Sequence, residues 1–113
     1  MANEAAAFEA LGDGTRRRVL ELLRDGEQTV AELTRRLPVT QSAVSQHLRV
    51  LRDAGLVTDR PEGTRRYYRV ERDGLAALRA YVDSFWDGAL AAFEEHADRS
   101  EPGTEQPRTE EAP

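Results

Sequence analysis

The chain predicts a mainly α-helical domain carrying one β-hairpin, and three observations support that class. Short segments between residues 5 and 54 repeat apolar side chains at three- and four-residue spacing. A β-prone stretch rich in arginine and tyrosine follows, broken by the turn cluster Pro61-Glu62-Gly63-Thr64. A long amphipathic run from about Asp73 to His96 then closes the pattern.

Taken in order, AAAFEALG at 5 to 12 reads as a first helix with Phe8 and Leu11 on one side and Gly12 as its stop. Asp13 suits the cap of a second helix from Thr15 to Arg24, with Val19, Leu20 and Leu23 as its apolar stripe and Asp25-Gly26 as its end. Thr29 and Glu32 form a capping box ahead of VAELTRRL, in which Val30, Leu33 and Leu37 are apolar. Pro38 is expected to end that helix. After a turn of about three residues, TQSAVSQHLRVLRDAGL forms a fourth helix, capped at Thr40 and closed by Gly55 in the left-handed position. Leu56 to Arg60 and Arg65 to Val70 flank the turn cluster as a hairpin. The last helix carries Leu75, Leu78, Val82, Phe85, Ala89 and Ala92, with a second apolar line at Trp86, Leu90 and Phe93.

Helices followed by a tight turn, another helix and a β-hairpin wing make a winged helix-turn-helix. With 113 residues there is material for one modest core and no second. The expected division is a working domain over residues 1 to 98 and a polar, acidic tail over 99 to 113, rich in Pro, Glu and Thr and expected to be disordered.

Composition narrows the function classes. No apolar run approaches the roughly 18 to 20 residues that span a bilayer, and MANEAAAFEAL is amphipathic rather than a signal peptide, so a cytoplasmic protein without a membrane partner is expected. The absence of cysteine excludes disulfides, thiolate metal ligands and thiol switches. With two histidines and no carboxylates paired at ligand spacing, no metal, no other cofactor and no general acid/base site is expected. No nucleophile and base can be placed together, which argues against an enzyme.

The net charge of -5 conceals an uneven distribution. Residues 16 to 72 hold 13 arginines against eight acids, whereas residues 73 to 113 hold three against ten. An acidic protein can thus contain a basic central module, and the local field is what meets a polyanion.

The fourth helix gives that field a shape. At 100° per residue Ser42, Ser45, Gln46, Arg49 and Arg52 lie within about 80° of Ser42, while Val44, Leu48 and Leu51 lie at about 180° to 240°. From residue 41 to residue 52 the polar side bears no acid. Such a helix fits the major groove, where Gln pairs with adenine, Arg with guanine, and Ser with base edges or phosphate. Gln41, Ser42, Ser45, Gln46 and Arg49 are the candidate readers of double-stranded DNA. His47 falls beside Leu51, on the packed or boundary side; His96, near the end of the last helix, is expected to be exposed.

The candidate contacts to the DNA backbone are Arg16, Arg17, Arg65, Arg66 and Tyr67. Strand alternation sets Arg65, Tyr67 and Arg69 on one face of the wing and Arg66, Tyr68 and Val70 on the other. Arg65 and Tyr67 are favoured toward DNA, with Tyr68 and Val70 inward. Arg16, Arg17 and Arg18 open a helix at its positive end, where the dipole disfavours them, so helix stability does not account for them.

FEALGDGTRRRVLELL, TVAELTRRL, TQSAVSQHLRVLRDAGLV and EGTRRYYRV together resemble the ArsR-type family of bacterial winged-helix repressors, over residues 8 to about 95. The resemblance implies a homodimer paired through the N- and C-terminal helices, bound to an imperfect palindrome at a promoter and released by an inducer. Phe8, Leu11, Val82, Phe85, Trp86, Ala89, Leu90 and Phe93 are the candidate dimer interface, because the last helix is too apolar for a monomer of this size. Two departures stand out. The cysteines that metal-sensing members carry in the VAELTRRL helix are absent, and Gly14 stands where many relatives have proline. The signal is left open between a small organic molecule at the dimer interface, a protein, and autoregulation. A winged-helix protein-interaction module without specific DNA binding is the alternative reading; an all-acid reading face would have favoured it.

Overall fold

The computed structural model describes residues 4 to 99. Its elements run α1 (Glu4–Ala10), α2 (Gly14–Arg24), α3 (Val30–Arg35), α4 (Gln41–Asp53), β1 (Val57–Glu62), β2 (Arg65–Val70) and α5 (Arg72–Arg99). This is a winged helix-turn-helix, mainly helical with a two-stranded antiparallel wing. By compactness the chain divides between Tyr81 and Val82, inside α5. The expected tail boundary at residue 99 and the tail itself lie outside the described residues.

In the unit ending at Tyr81, local chemistry sets the helix starts. The Asp13 carboxylate accepts from the Arg16 backbone N–H at 3.0 Å and caps α2. Thr29 and Glu32 satisfy each other's backbone N–H at the start of α3, at 3.1 and 2.9 Å. Thr40 Oγ1 accepts from Ala43 N at 3.1 Å and caps α4. Each cap removes one donor that the first turn leaves unsatisfied.

The end of α3 differs from expectation. It stops at Arg35, three residues short of Pro38, and the Arg36 N–H already bonds back to Leu33 in a tightened turn. Proline excludes the helical conformation from the residue before it, so Leu37 leaves the helix and the unwinding begins further back. The connection to α4 therefore spans residues 36 to 40 rather than about three.

Val19, Leu33, Val44, Leu51 and Leu56 are fully buried, with Leu48 and Val57 nearly so. They draw α2, α3, α4 and the base of the wing onto one core. Leu22, rather than Leu20, completes the buried stripe of α2; Leu20 packs at its edge. Ala7 and Ala10 bury the inner side of α1, while the ring of Phe8 meets Tyr81 of α5 at 5.5 Å between centroids.

The wing turns through Gly63 and Thr64 alone, and Pro61 and Glu62 belong to β1. A two-residue hairpin turn needs a positive φ at its first position, and Gly63 supplies +64°. Pro61 pairs with Arg66 in a strand whose outer edge is unpaired among the described residues, where a missing N–H is tolerated. Gln28 adds a bridge on the other side of β2, exchanging two backbone hydrogen bonds with Tyr68 at 2.9 and 3.1 Å.

Gly55 closes α4 at φ +81°, and the first turn of α5 rests against it. A Cβ on Gly74 would stand 1.8 Å from the Gly55 carbonyl oxygen, so this approach requires glycine. Leu75 and Leu78 then pack on the core.

The unit beginning at Val82 continues α5. Val82, Phe85, Trp86, Ala89, Leu90 and Phe93 are all exposed, Trp86 at 64% and Phe93 at 68%, and His96 is exposed too. Among the described residues no helix is long and apolar enough to cross a membrane.

Candidate nucleic-acid interface

The second helix of the helix-turn-helix, α4, is held from behind. Val44, Leu48 and Leu51 are buried on its inner side. Gln41, Ser42, Ser45, Gln46 and Arg49 are all exposed on the other. Among the described residues no ion pair or side-chain hydrogen bond occupies these five, so their donors and acceptors are available. His47 lies between the two sides. It is half-buried, and its Nδ1 is enclosed without a hydrogen-bond partner among the described residues. Nearby, the Asp13 carboxyl is held below its ordinary value first by the Arg16 backbone N–H, against a smaller opposing effect of desolvation.

The wing is organised differently. Its register places Arg60 opposite Tyr67 and Asp59 opposite Tyr68, which gives each strand face its own ion pairs. On one face the Arg60 guanidinium donates to both Glu27 carboxylate oxygens, at 2.8 to 3.2 Å, and to Glu62 at 2.7 Å. It also lies 4.9 Å from the centre of the Tyr67 ring. Arg69 reaches the same Glu27 at 4.0 Å. This clamp holds the Glu27 carboxyl below its ordinary value, chiefly through the Arg60 hydrogen bonds, and raises Arg60 further, chiefly through Glu27 and then Glu62.

On the other face Asp59, its side chain 10% exposed, receives Arg66 at 2.5 Å and Arg52 of α4 at 3.7 Å. Tyr68 and Val70 pack toward the core on this side. Of the wing residues expected at DNA, Arg66 is thus engaged by Asp59 and Tyr67 lies beside Arg60. Arg65, next to the turn, is exposed with no ion pair among the described residues.

Arg16 and Arg17 have structural work that the sequence did not reveal. Arg16 Nε donates to the Ala10 carbonyl at 2.6 Å, and Arg17 Nη1 donates to the Leu11 carbonyl at 2.8 Å. Both carbonyls belong to the end of α1, where cationic donors are favourable. The arginines sit at the wrong end of their own helix because they serve the right end of the preceding one. Leu11, expected at the dimer interface, is partly buried against the core.

Glu27 and Asp59 are the residues that sequence reasoning missed. Glu27 lies 33 positions from Arg60, in a loop with no local pattern to mark it. Strand alternation could have placed Asp59 on the Tyr68 face. Among the described residues no three ligand-type side chains group as a metal site would need.

Residues 13 to 59, from the cap of α2 into the wing, match the family described as bacterial regulatory protein, arsR family. The chain is 55% identical over 87 residues to the HTH-type transcriptional regulator Rv2034 of Mycobacterium tuberculosis, covering 77% of this chain and 81% of that protein. The chain belongs to the arsR family. Among solved structures, this arsR-family protein is similar to an ArsR-like transcriptional regulator from Rhodococcus sp. RHA1, with a TM-score of 0.70 and 32% identity over 86% of this chain and 94% of that one. It also resembles the homodimeric winged helix-turn-helix DNA-binding domain Mb0332 of Mycobacterium bovis, with a TM-score of 0.61 and 36% identity over 74% and 77% of the two chains. As an arsR-family member it is a DNA-binding transcriptional regulator, with α3 and α4 as the helix-turn-helix and β1–β2 as the wing.

Proposed function

We infer that the protein binds an operator as a homodimer and represses by occluding the promoter, reading bases through α4. The exposed face of Gln41, Ser42, Ser45, Gln46 and Arg49, with no acid before Asp53 in the last turn, carries this reading, because the buried side chains behind it hold those donors in one geometry. Arg65 and Tyr67 are the wing residues nearest to a backbone role; Arg16, Arg17 and Arg66 act there only with donors left over from their internal partners.

Dimerisation is supported by the exposed apolar side chains of Phe8, Val82, Phe85, Trp86, Ala89, Leu90 and Phe93 in a protein of this size. A two-fold pair would set two α4 helices about one or two turns of DNA apart and make the operator palindromic. Residues 1 to 98 would then be the binding and dimerisation domain, working in the cytoplasm, with the acidic residues beyond as an appended tail. Footprinting on the DNA upstream of its gene tests the assembly. The expected result is a protected segment of two inverted half-sites; a protected segment without dyad symmetry would contradict the homodimer.

A further inference from the structure

The wing's arginines meet three carboxylates before they meet anything else. Four arginines lie on β1 and β2, at 60, 65, 66 and 69. Glu27 and Glu62 take all the hydrogen bonds described for Arg60, Glu27 also faces Arg69, and Asp59 takes Arg66. Arg65 alone among them stands without such a partner among the described residues. The pairing is built rather than incidental, because Glu27 comes from the α2–α3 loop and receives the fork of one guanidinium on both its oxygens. Exposed ion pairs such as those of Arg60 with Glu27 and Glu62 add little to folding, so stability gives weak grounds for these two acids beside a DNA-facing wing.

Carboxylates in these positions do have an effect on DNA. A phosphate approaching Arg60 or Arg66 must displace or tolerate a negative group already there. The counterion release that drives sequence-independent binding is reduced accordingly. We propose that Glu27, Asp59 and Glu62 are built-in counter-charges of the wing, holding down sequence-independent attraction to DNA so that the bases read by α4 decide where the protein binds. This rests on the DNA-binding reading given above. It assigns Arg60 a positioning role, beside Tyr67, and leaves Arg65 as the wing's principal phosphate contact.

The test is fluorescence anisotropy of a labelled random-sequence duplex against salt, for the full chain and for Glu27→Gln, Glu62→Gln and the double variant. The expected result is tighter binding at low salt and a log–log slope steeper by roughly 0.9 for each guanidinium freed. Between about 50 mM and 200 mM salt that is a further three- to fourfold loss, roughly, per guanidinium. Glu62 is exposed and its side chain pairs with Arg60 alone among the described residues, so Glu62→Gln, which removes one of the two acids on Arg60, should steepen the slope in the same direction by less and carries the test if Glu27→Gln fails to fold. An unchanged or shallower slope in the folded variants overturns the proposal. If the unaltered protein binds no duplex even at low salt, the DNA-binding reading itself fails and the proposal falls with it.

Discussion

Helix α4 and the wing both present polar side chains outward, but they hold them in opposite ways. The inner side of α4 is an apolar wall of Val44, Leu48 and Leu51, and its outward Gln46 and Arg49 have no internal partner among the described residues. In the wing, Glu27 from the α2–α3 loop and Asp59 of β1 already neutralise most of the arginines. A helix fixed by packing can keep its hydrogen-bonding groups unspent for base edges. A thin two-stranded ribbon has little packing of its own, and its arginines are met by acids instead. On the proposed reading, the difference separates specificity, placed on the rigid element, from affinity for the DNA backbone, which the wing would moderate.

The comparison breaks most severely if the wall behind α4 is breached. Leu48→Ala removes a side chain 1% exposed and should lower stability by about 2 to 5 kcal/mol, read by chemical denaturation. A loss well under that range would mean that α4 is not held by its core face. A smaller effect separates the arginines of the wing. Arg65→Ala should weaken binding about equally on all sequences and lower the salt slope by about 1, while Arg60→Ala should change the slope less. Equal slope changes would remove the distinction between a contacting and a positioning arginine.

The smallest effect concerns acid. Arg60 holds the Glu27 carboxyl below its ordinary value of 4.5. A depressed carboxylate contributes stability that is present above the unfolded value and is lost as pH falls through the lowered folded one. Thermal melts of the protein and of Glu27→Gln should therefore differ near neutrality and converge as pH drops below about 4.5. A difference that persists at lower pH would deny the ion pair any part in it.

Much of the fold is legible because its boundaries are local. Asp13, Thr29 with Glu32, Thr40 and Gly55 each act within a few residues of themselves, and each stands where its side-chain chemistry directs. The spacing of Val44, Leu48 and Leu51 likewise separates the buried face of α4 from the exposed one. What is not legible depends on partners distant in the chain. Gln28 pairs with Tyr68, Glu27 with Arg60 and Gly74 with Gly55, and no periodicity in either segment announces the other. Arg16 and Arg17 fall between these cases. Their placement contradicts the dipole of their own helix, and the contradiction was the signal of an outside partner. For the site, sequence alone could list the wing's arginines but not which of them were already matched by acids.

The central claim is that the outward face of α4 reads the bases. Its most direct test is the ratio of affinities for the operator and for a random duplex, measured for the protein and for the combined variant Ser45→Ala, Gln46→Ala and Arg49→Ala at one salt concentration. Each base contact contributes about 1 to 3 kcal/mol of discrimination, so the ratio should collapse toward one while binding to the random duplex largely survives. Operator binding left intact in the combined variant would contradict the account.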